Sequence, residues 1–333
     1  MKKFINDPMN VVDEMLEGFL FVNGRYVRRA ESHPRVIVRR DAPVAGKVAV
    51  VTGGGSGHKP AFVGFVGRGM LDAAIAGEIF TSPPVPAVLE AVKATDGGKG
   101  VLLLLGNYAG DVMNFDMAAE LAEEEGIEVV QSIATDDVGA GFKDRPEMRR
   151  GVSGEFLIWK CCGAMAEQGE PLAEVKRIAE KVNARTRTMG VAISPCTVPA
   201  AGKPTFELAD DEMEMGVGHH GEPGVSREKL QPVDAVVDRL AEQVVSDLPY
   251  ESGDQVVTLI NGLGATPLLE LYIAQRRLQQ NLADRGIEIA RSLVGEYFTA
   301  LEMAGFSITL LRVDKELKEL IAAPADTPYF VQV

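Results

Sequence analysis

Hydrophobic positions along this chain follow two rhythms. Short, nearly continuous apolar runs at residues 48–52, 73–75, 101–105 and 127–130 read as strands buried on both faces. Between them, residues 84–92 and 112–124 carry apolar positions at helical spacing. Ahead of these, Val11, Val12, Met15, Leu16 and Phe19 give one apolar face to a helix that Asp7 would cap and Pro8 would open, ending near Asn23-Gly24. Strand and helix in alternation predict a largely parallel sheet covered by helices.

A charged amphipathic helix over residues 171–187 closes this first series, and a new set of strand-like runs starts at 190–193. Helices over 233–245, 267–278 and 314–321 then alternate with strands over 256–260, 287–290 and 307–311. The expected fold is α/β, with two α/β domains, each built on a largely parallel or mixed sheet flanked by helices. Residues 1–187 form the first and residues 188–333 the second, a division that 333 residues favour over one oversized core. Residues 196–232 stand apart as a long irregular excursion, the length of a binding loop or lid.

Composition narrows the function. Apolar residues make up 46% of the chain and charged residues 25%, the balance of a folded globular protein. A net charge of −14 argues against nucleic acid or anionic membrane as partners and favours a small ligand. No apolar run is long enough to span a bilayer, and Asn6, Asp7, Asp13 and Glu14 interrupt the apolar region that a signal peptide would need after Met1-Lys2-Lys3. Cys161, Cys162 and Cys196 are an odd count without metal-ligand spacing, so neither a disulfide framework nor a zinc site is expected, and a cytoplasmic location is.

Three segments could carry chemistry. His219 and His220 lie in Gly216-Val217-Gly218-His219-His220-Gly221-Glu222-Pro223-Gly224, where glycines and a proline force the backbone to turn and present imidazoles near an opening. Adjacent residues rarely point the same way and no third histidine or cysteine is near, so the pair is not expected to hold a metal. Gly53-Gly54-Gly55-Ser56-Gly57-His58-Lys59-Pro60 follows a strand and reads as a loop cradling a phosphate or polar ligand, without the Lys-Ser/Thr of a nucleotide P-loop or the third glycine of a dinucleotide fold. Gly77-Glu78-Ile79-Phe80 would wall the same crevice. Asp111, after Gly106-Asn107-Tyr108-Ala109-Gly110, is either a helix cap or a catalytic carboxylate at the carboxyl end of a parallel strand, where open α/β sheets bind ligands. Thr266-Pro267 reads as a cap and a first helical residue.

Taken in order, Asp41-Ala42-Pro43-Val44-Ala45-Gly46-Lys47-Val48, Gly53-Gly54-Gly55-Ser56-Gly57-His58, Gly77-Glu78-Ile79-Phe80-Thr81-Ser82-Pro83, Asn107-Tyr108-Ala109-Gly110-Asp111, Cys196-Thr197-Val198-Pro199-Ala200-Ala201-Gly202-Lys203-Pro204, His220-Gly221-Glu222-Pro223-Gly224 and Gly305-Phe306-Ser307-Ile308-Thr309-Leu310-Leu311 make the chain resemble a known family over nearly its whole length. It resembles the ketose-binding subunits of the dihydroxyacetone kinase family, the DhaK type. The resemblance implies that a nitrogen of His220 adds to the ketone carbon of a short ketose as a hemiaminal, which admits reactive carbonyls and rejects polyols. It implies acid and base roles for His58 and Asp111, and substrate contacts from Gly55, Ser56, Gly57, His58, Asp111 and His220. No cofactor is expected in this chain. ATP or ADP with Mg is expected on a separate DhaL-type subunit, with a DhaM-type phosphocarrier in phosphotransferase-linked systems, and the chain is expected to be a homodimer. The alternative within the family is a non-catalytic, ketose-sensing coactivator. Lys59 stands where better-known members have glutamate, Gly106 where they have lysine, and His219 where they are usually apolar, which leaves the ketose open between dihydroxyacetone and a four-carbon ketose such as erythrulose.

Overall fold

The computed structural model describes residues 2–333. The first helix, α1, spans Val11–Asn23 and buries Val12 and Leu16. It starts later than Pro8, because the Asp7 carboxylate accepts from the amide of Met9 and forms a turn before the helix. Two strands that the apolar pattern did not announce, β1 (Val27–Arg29) and β2 (Val36–Arg39), pair antiparallel.

The predicted alternation follows: β3 (Ala49–Ser56), β4 (Ala73–Ile79), α2 (Val85–Thr95), β5 (Val101–Gly106), α3 (Ala109–Glu124) and β6 (Val129–Ala134). The sheet order is β1-β2-β4-β3-β5-β6, with β4, β3, β5 and β6 parallel. Alternate residues of β5 serve different faces: Leu103 and Leu105 join α2 and α3 in one core, while Leu102 and Leu104 join α4 (Glu155–Glu167) and α5 (Leu172–Arg185) in another. Helix α4 is buried on nearly every side, including its charged residues Glu155 and Lys160. The thiols of Cys161 and Cys162 lie inside it, and all three cysteines are free and buried.

The second sheet holds β7 (Thr186–Ser194), β8 (Glu212–Met215), β9 (Ser226–Lys229), β10 (Gln255–Gly262), β11 (Glu288–Gly295) and β12 (Ala304–Val313). Its order is β11-β10-β12-β7-β8-β9, and only β10 and β11 run parallel. Helices α6 (Val233–Asp247) and α7 (Leu268–Asp284) cover one face. The other face, through Val257, Leu259 and Leu311, shares an apolar core with α4, α5, α8 (Lys315–Ala322) and the first sheet. A short ribbon of β13 (Ala325–Asp326) and β14 (Val331–Gln332) follows α8. The architecture is α/β, with one largely parallel and one mixed sheet flanked by helices. Every strand of the second sheet begins at or after Thr186, so the expected division at residues 187 and 188 falls inside β7, while the core itself continues across it.

Three expectations change. Residues 196–232 are not wholly irregular, since β8 and β9 form an antiparallel hairpin at the edge of the second sheet, with Met213 and Met215 inward. Gly53, Gly54 and Gly55 belong to β3 rather than to a loop; a Cβ on Gly55 would stand 2.5 Å from the backbone nitrogen of Thr81, and one on Gly54 would meet the Phe62 ring at 2.7 Å. Thr266 does not cap α7: its hydroxyl donates to the Gly305 carbonyl and accepts from the Gly305 amide, clamping β12. Among the described residues no helix is long and apolar enough to cross a membrane.

Candidate active site

The end of β3 delivers His58 into the seam between the two sheets. Its imidazole is 2% exposed and sandwiched by Phe80, stacked at 5.1 Å between ring centroids, and Phe298 at 4.9 Å. Phe80 thus walls the crevice from the first half, as the Gly77 motif suggests, and Phe298 walls it from the second. The Nδ1 of His58 lies 2.7 Å from the carbonyl oxygen of Thr299. A carbonyl only accepts, so Nδ1 carries the proton and neutral His58 presents a lone pair at Nε2. The Thr299 segment is itself held in place. The buried Asn261 amide donates to the Phe298 carbonyl and accepts from the amides of Tyr297 and Phe298. The Thr299 hydroxyl donates to the Lys59 carbonyl.

His220 comes from the turn between β8 and β9. Gly221 adopts a φ of +85°, which reverses the chain so that Glu222 folds back over His220. The Glu222 carboxylate accepts from the His220 amide at 2.9 Å and lies 2.8 Å from Nδ1. A carboxylate also only accepts, so Nδ1–H points to Glu222 and Nε2 is left free. Burial works against the charge on Glu222, but hydrogen bonds from His220 hold its carboxyl down to about 2. The Tyr108 ring packs edge-on against the His220 imidazole at 4.9 Å.

The two Nε2 atoms face each other at 3.1 Å. With both Nδ1 protons committed, two neutral rings would oppose their lone pairs, so this contact requires one shared proton. Burial, the main cause, pushes His58 well below 6.5. The anionic Glu222 lies on the His220 side of that contact. Asp111 lies in the first turn of α3, yet makes no capping hydrogen bond, and Tyr108 precedes the helix instead. Its Oδ1 is buried without a partner, and burial pushes the carboxyl up to about 6 against the Ser82 hydroxyl and His220. Of the two readings left open for Asp111, the cap is the one the geometry removes.

His58, Asp111 and His220 line one cleft with Gly53, Gly54 and Gly55. Its free space is about 20 Å³, room for about one water molecule. Ser56 and Gly57 line a separate neighbouring cavity with Lys59 and Glu296. The Ser56 hydroxyl donates to the Gly77 carbonyl. Among the described residues no cluster of three or more histidine, cysteine or acidic side chains could hold a metal ion.

Residues 17–329 match the Dak1 domain. The chain belongs to the Dak1 family. It is 46% identical over 330 residues to the dihydroxyacetone-binding subunit DhaK of a PTS-dependent dihydroxyacetone kinase of Listeria innocua, spanning 99% of both chains. It is 44% identical to a D-erythrulose kinase of Mycolicibacterium smegmatis, over 99% of this chain and 56% of that protein. The solved structure of the dihydroxyacetone kinase operon co-activator DhaQ superposes with a TM-score of 0.90 at 31% identity, over 96% of this chain and 98% of that one.

Within the Dak1 family frame, this chain's departures fall in different places. His219 is 3% exposed, packs on Phe298 and leaves its Nδ1 without a partner; burial pushes it down to about 3, so it is neutral. Lys59 lines the neighbouring cavity; its amine donates to the Ala61 carbonyl at 3.3 Å and is pushed down to about 8 by burial. Thr299 and Phe298 carry no signal in the sequence, and Asn261 shows there only as part of the strand-to-helix turn that ends in Thr266-Pro267. They act through a carbonyl, a ring and an amide that lie roughly 200 to 240 residues from His58, and no local pattern ties them to it. Glu222 stood inside a quoted motif, but its grip on His220 needed the turn at Gly221 to be seen.

Proposed function

We propose that this chain is the ketose-binding subunit of a dihydroxyacetone-type kinase, holding a short ketose as a hemiaminal on His220 while a separate subunit delivers the phosphoryl group. The observation that carries the reading is the Glu222–His220–His58 chain: Nδ1 held by a carboxylate, Nε2 aimed into the cleft, and one proton between the two imidazoles. As a ketose enters between the two imidazoles, the shared proton moves to His58 Nε2 and the freed Nε2 lone pair of His220 bonds to the ketone carbon. The carbonyl π pair moves to oxygen, and that oxygen takes the proton that had been shared. The positive charge stays on the substituted imidazole, facing Glu222. The adduct holds a hydroxyl ready for attack on phosphorus, an entropic advantage. Asp111, poised near neutrality, accepts that hydroxyl's proton.

In this reading a DhaL-type subunit would carry the nucleotide with Mg, ATP as the donor and ADP once spent, with a DhaM-type phosphocarrier recharging it where the system is phosphotransferase-linked. The chain acts as a cytoplasmic homodimer. Dihydroxyacetone is the substrate that the Listeria relative's name supports, and the erythrulose kinase makes a four-carbon ketose the next to test. Crystals soaked with dihydroxyacetone test the reading: continuous density from His220 Nε2 to the ketone carbon is expected, and full-occupancy ligand separate from the ring would contradict it.

The resemblance to the co-activator DhaQ supports a second reading, ketose sensing without catalysis. Reconstitution with DhaL-type subunits separates the two. Phosphorylated ketose favours the kinase, and ketose binding without product, across several partners, favours the sensor.

A further inference from the structure

A second carboxyl lines the cleft beside Asp111 and has no part in the chemistry above. Glu155 is the first residue of α4, is 2% exposed, and its Oε2 has no hydrogen-bond partner. Its other oxygen occupies space cleared by two glycines: a Cβ on Gly106 would stand 2.6 Å from Oε1, and one on Gly151 would stand 2.9 Å away. Glu155 reaches the cleft because neither position carries a side chain.

Several titratable groups bear on this carboxyl. Asp111 faces it from α3, and Asp136 approaches from the segment after β6, where it accepts from the amides of Val152 and Gly154 ahead of α4. His58, His219, His220 and Tyr108 line the same cleft. Burial first, then the charges of Asp136 and Asp111, push Glu155 well above its ordinary range. The start of α4 favours an anion, but no amide there bonds to Oε2. A protonated carboxyl has one O–H to donate.

We infer that Glu155 is a substrate-binding residue, whose carboxylic acid donates a hydrogen bond to an oxygen of the bound ketose. The inference rests on the proposed function. A ketose offers oxygen on every carbon, and the oxygen that gains charge as His220 adds is stabilised by a neutral donor, whereas a carboxylate there would repel it. In the free protein the same group is a buried polar atom without a partner, which costs stability.

Those two statements pull a substitution in opposite directions, which a purely structural residue would not do. Calorimetric titration of the full chain with dihydroxyacetone is expected to show E155L binding roughly tenfold more weakly than wild type, an ordinary loss for one hydrogen bond. Without ligand, E155L is expected to melt no lower than wild type. E155Q keeps an N–H donor and is expected to bind within about threefold of wild type. E155L binding as tightly as wild type would overturn the inference, and so would equal losses in E155L and E155Q. If E155L fails to fold, the pH series decides: wild-type affinity falls towards alkaline pH as Glu155 ionises, relative to E155Q, and parallel profiles refute the assignment. Failure of wild type to bind dihydroxyacetone at all would instead refute the proposed function.

Discussion

His58 and His220 are the same residue, in contact at Nε2, and their surroundings divide the work between them. His58 belongs to the rigid side. It follows a central strand, is clasped between Phe80 and Phe298, and gives its Nδ1 proton to a backbone carbonyl, which carries no charge to favour imidazolium. His220 belongs to a glycine turn at a sheet edge, keeps about 25% of its side chain exposed, and gives its Nδ1 proton to a carboxylate. A carbonyl partner leaves a neutral ring suited to receiving and passing a proton. A carboxylate partner supports a ring that becomes and stays positive, as a nitrogen bonded to carbon must. In the proposed reaction, the partner opposite Nδ1, rather than the imidazole, decides which histidine would be the nucleophile.

The sharpest way to break this division is to remove the proposed nucleophile. In H220A the ketose adduct should vanish and reconstituted phosphorylation should fall by roughly a thousandfold or more, as for other lost covalent nucleophiles; retained turnover would transfer the role elsewhere. Next in size is D111N, expected to lower kcat by about a hundred- to a thousandfold. The wild-type rate should fall as pH drops through about 6, because protonated Asp111 cannot accept a proton, and that limb should disappear in D111N. The sign for stability is the reverse of the usual carboxylate case. The folded carboxyl sits above its unfolded range of about 3.9, so the native state prefers the protonated form and its stability declines as pH rises from the unfolded to the folded value. D111N should therefore melt no lower than wild type above that window.

E222Q tests the comparison itself, since it gives His220 a neutral oxygen in place of a carboxylate and makes its surroundings like those of His58. A ten- to hundredfold loss of phosphorylation is expected, typical of a group that orients a reacting imidazole, with the ketose still bound. The smallest effect is predicted for H219L. Removing a buried ring nitrogen without a partner should raise stability by about 1 kcal/mol and change turnover by less than about threefold, read by thermal melting and a steady-state assay.

These outcomes also mark how far the amino-acid sequence reaches. The three proposed reacting residues were legible because each sits in a short motif after a strand or inside a glycine frame, where the backbone must turn. The helix α4 was not, because it is buried on every side and has no polar face to set a period. The β8–β9 hairpin hid in a polar stretch, although the alternation Glu212-Met213-Glu214-Met215 is a strand signal with both methionines buried. The environment that separates His58 from His220 was least legible of all. It is built from the Thr299 carbonyl, the Phe298 ring and the Asn261 amide, which reach the cleft only when the two sheets close on a shared core.

The account depends most on the bond between His220 and the ketose, and carbon-13 NMR of the full chain with dihydroxyacetone labelled at the ketone carbon observes that atom directly. The prediction is a bound resonance that leaves the carbonyl region for that of a tetrahedral carbon bearing oxygen and nitrogen, and that is missing in H220A. A bound ketose whose labelled carbon stays a carbonyl, or a tetrahedral signal that persists in H220A, would contradict it.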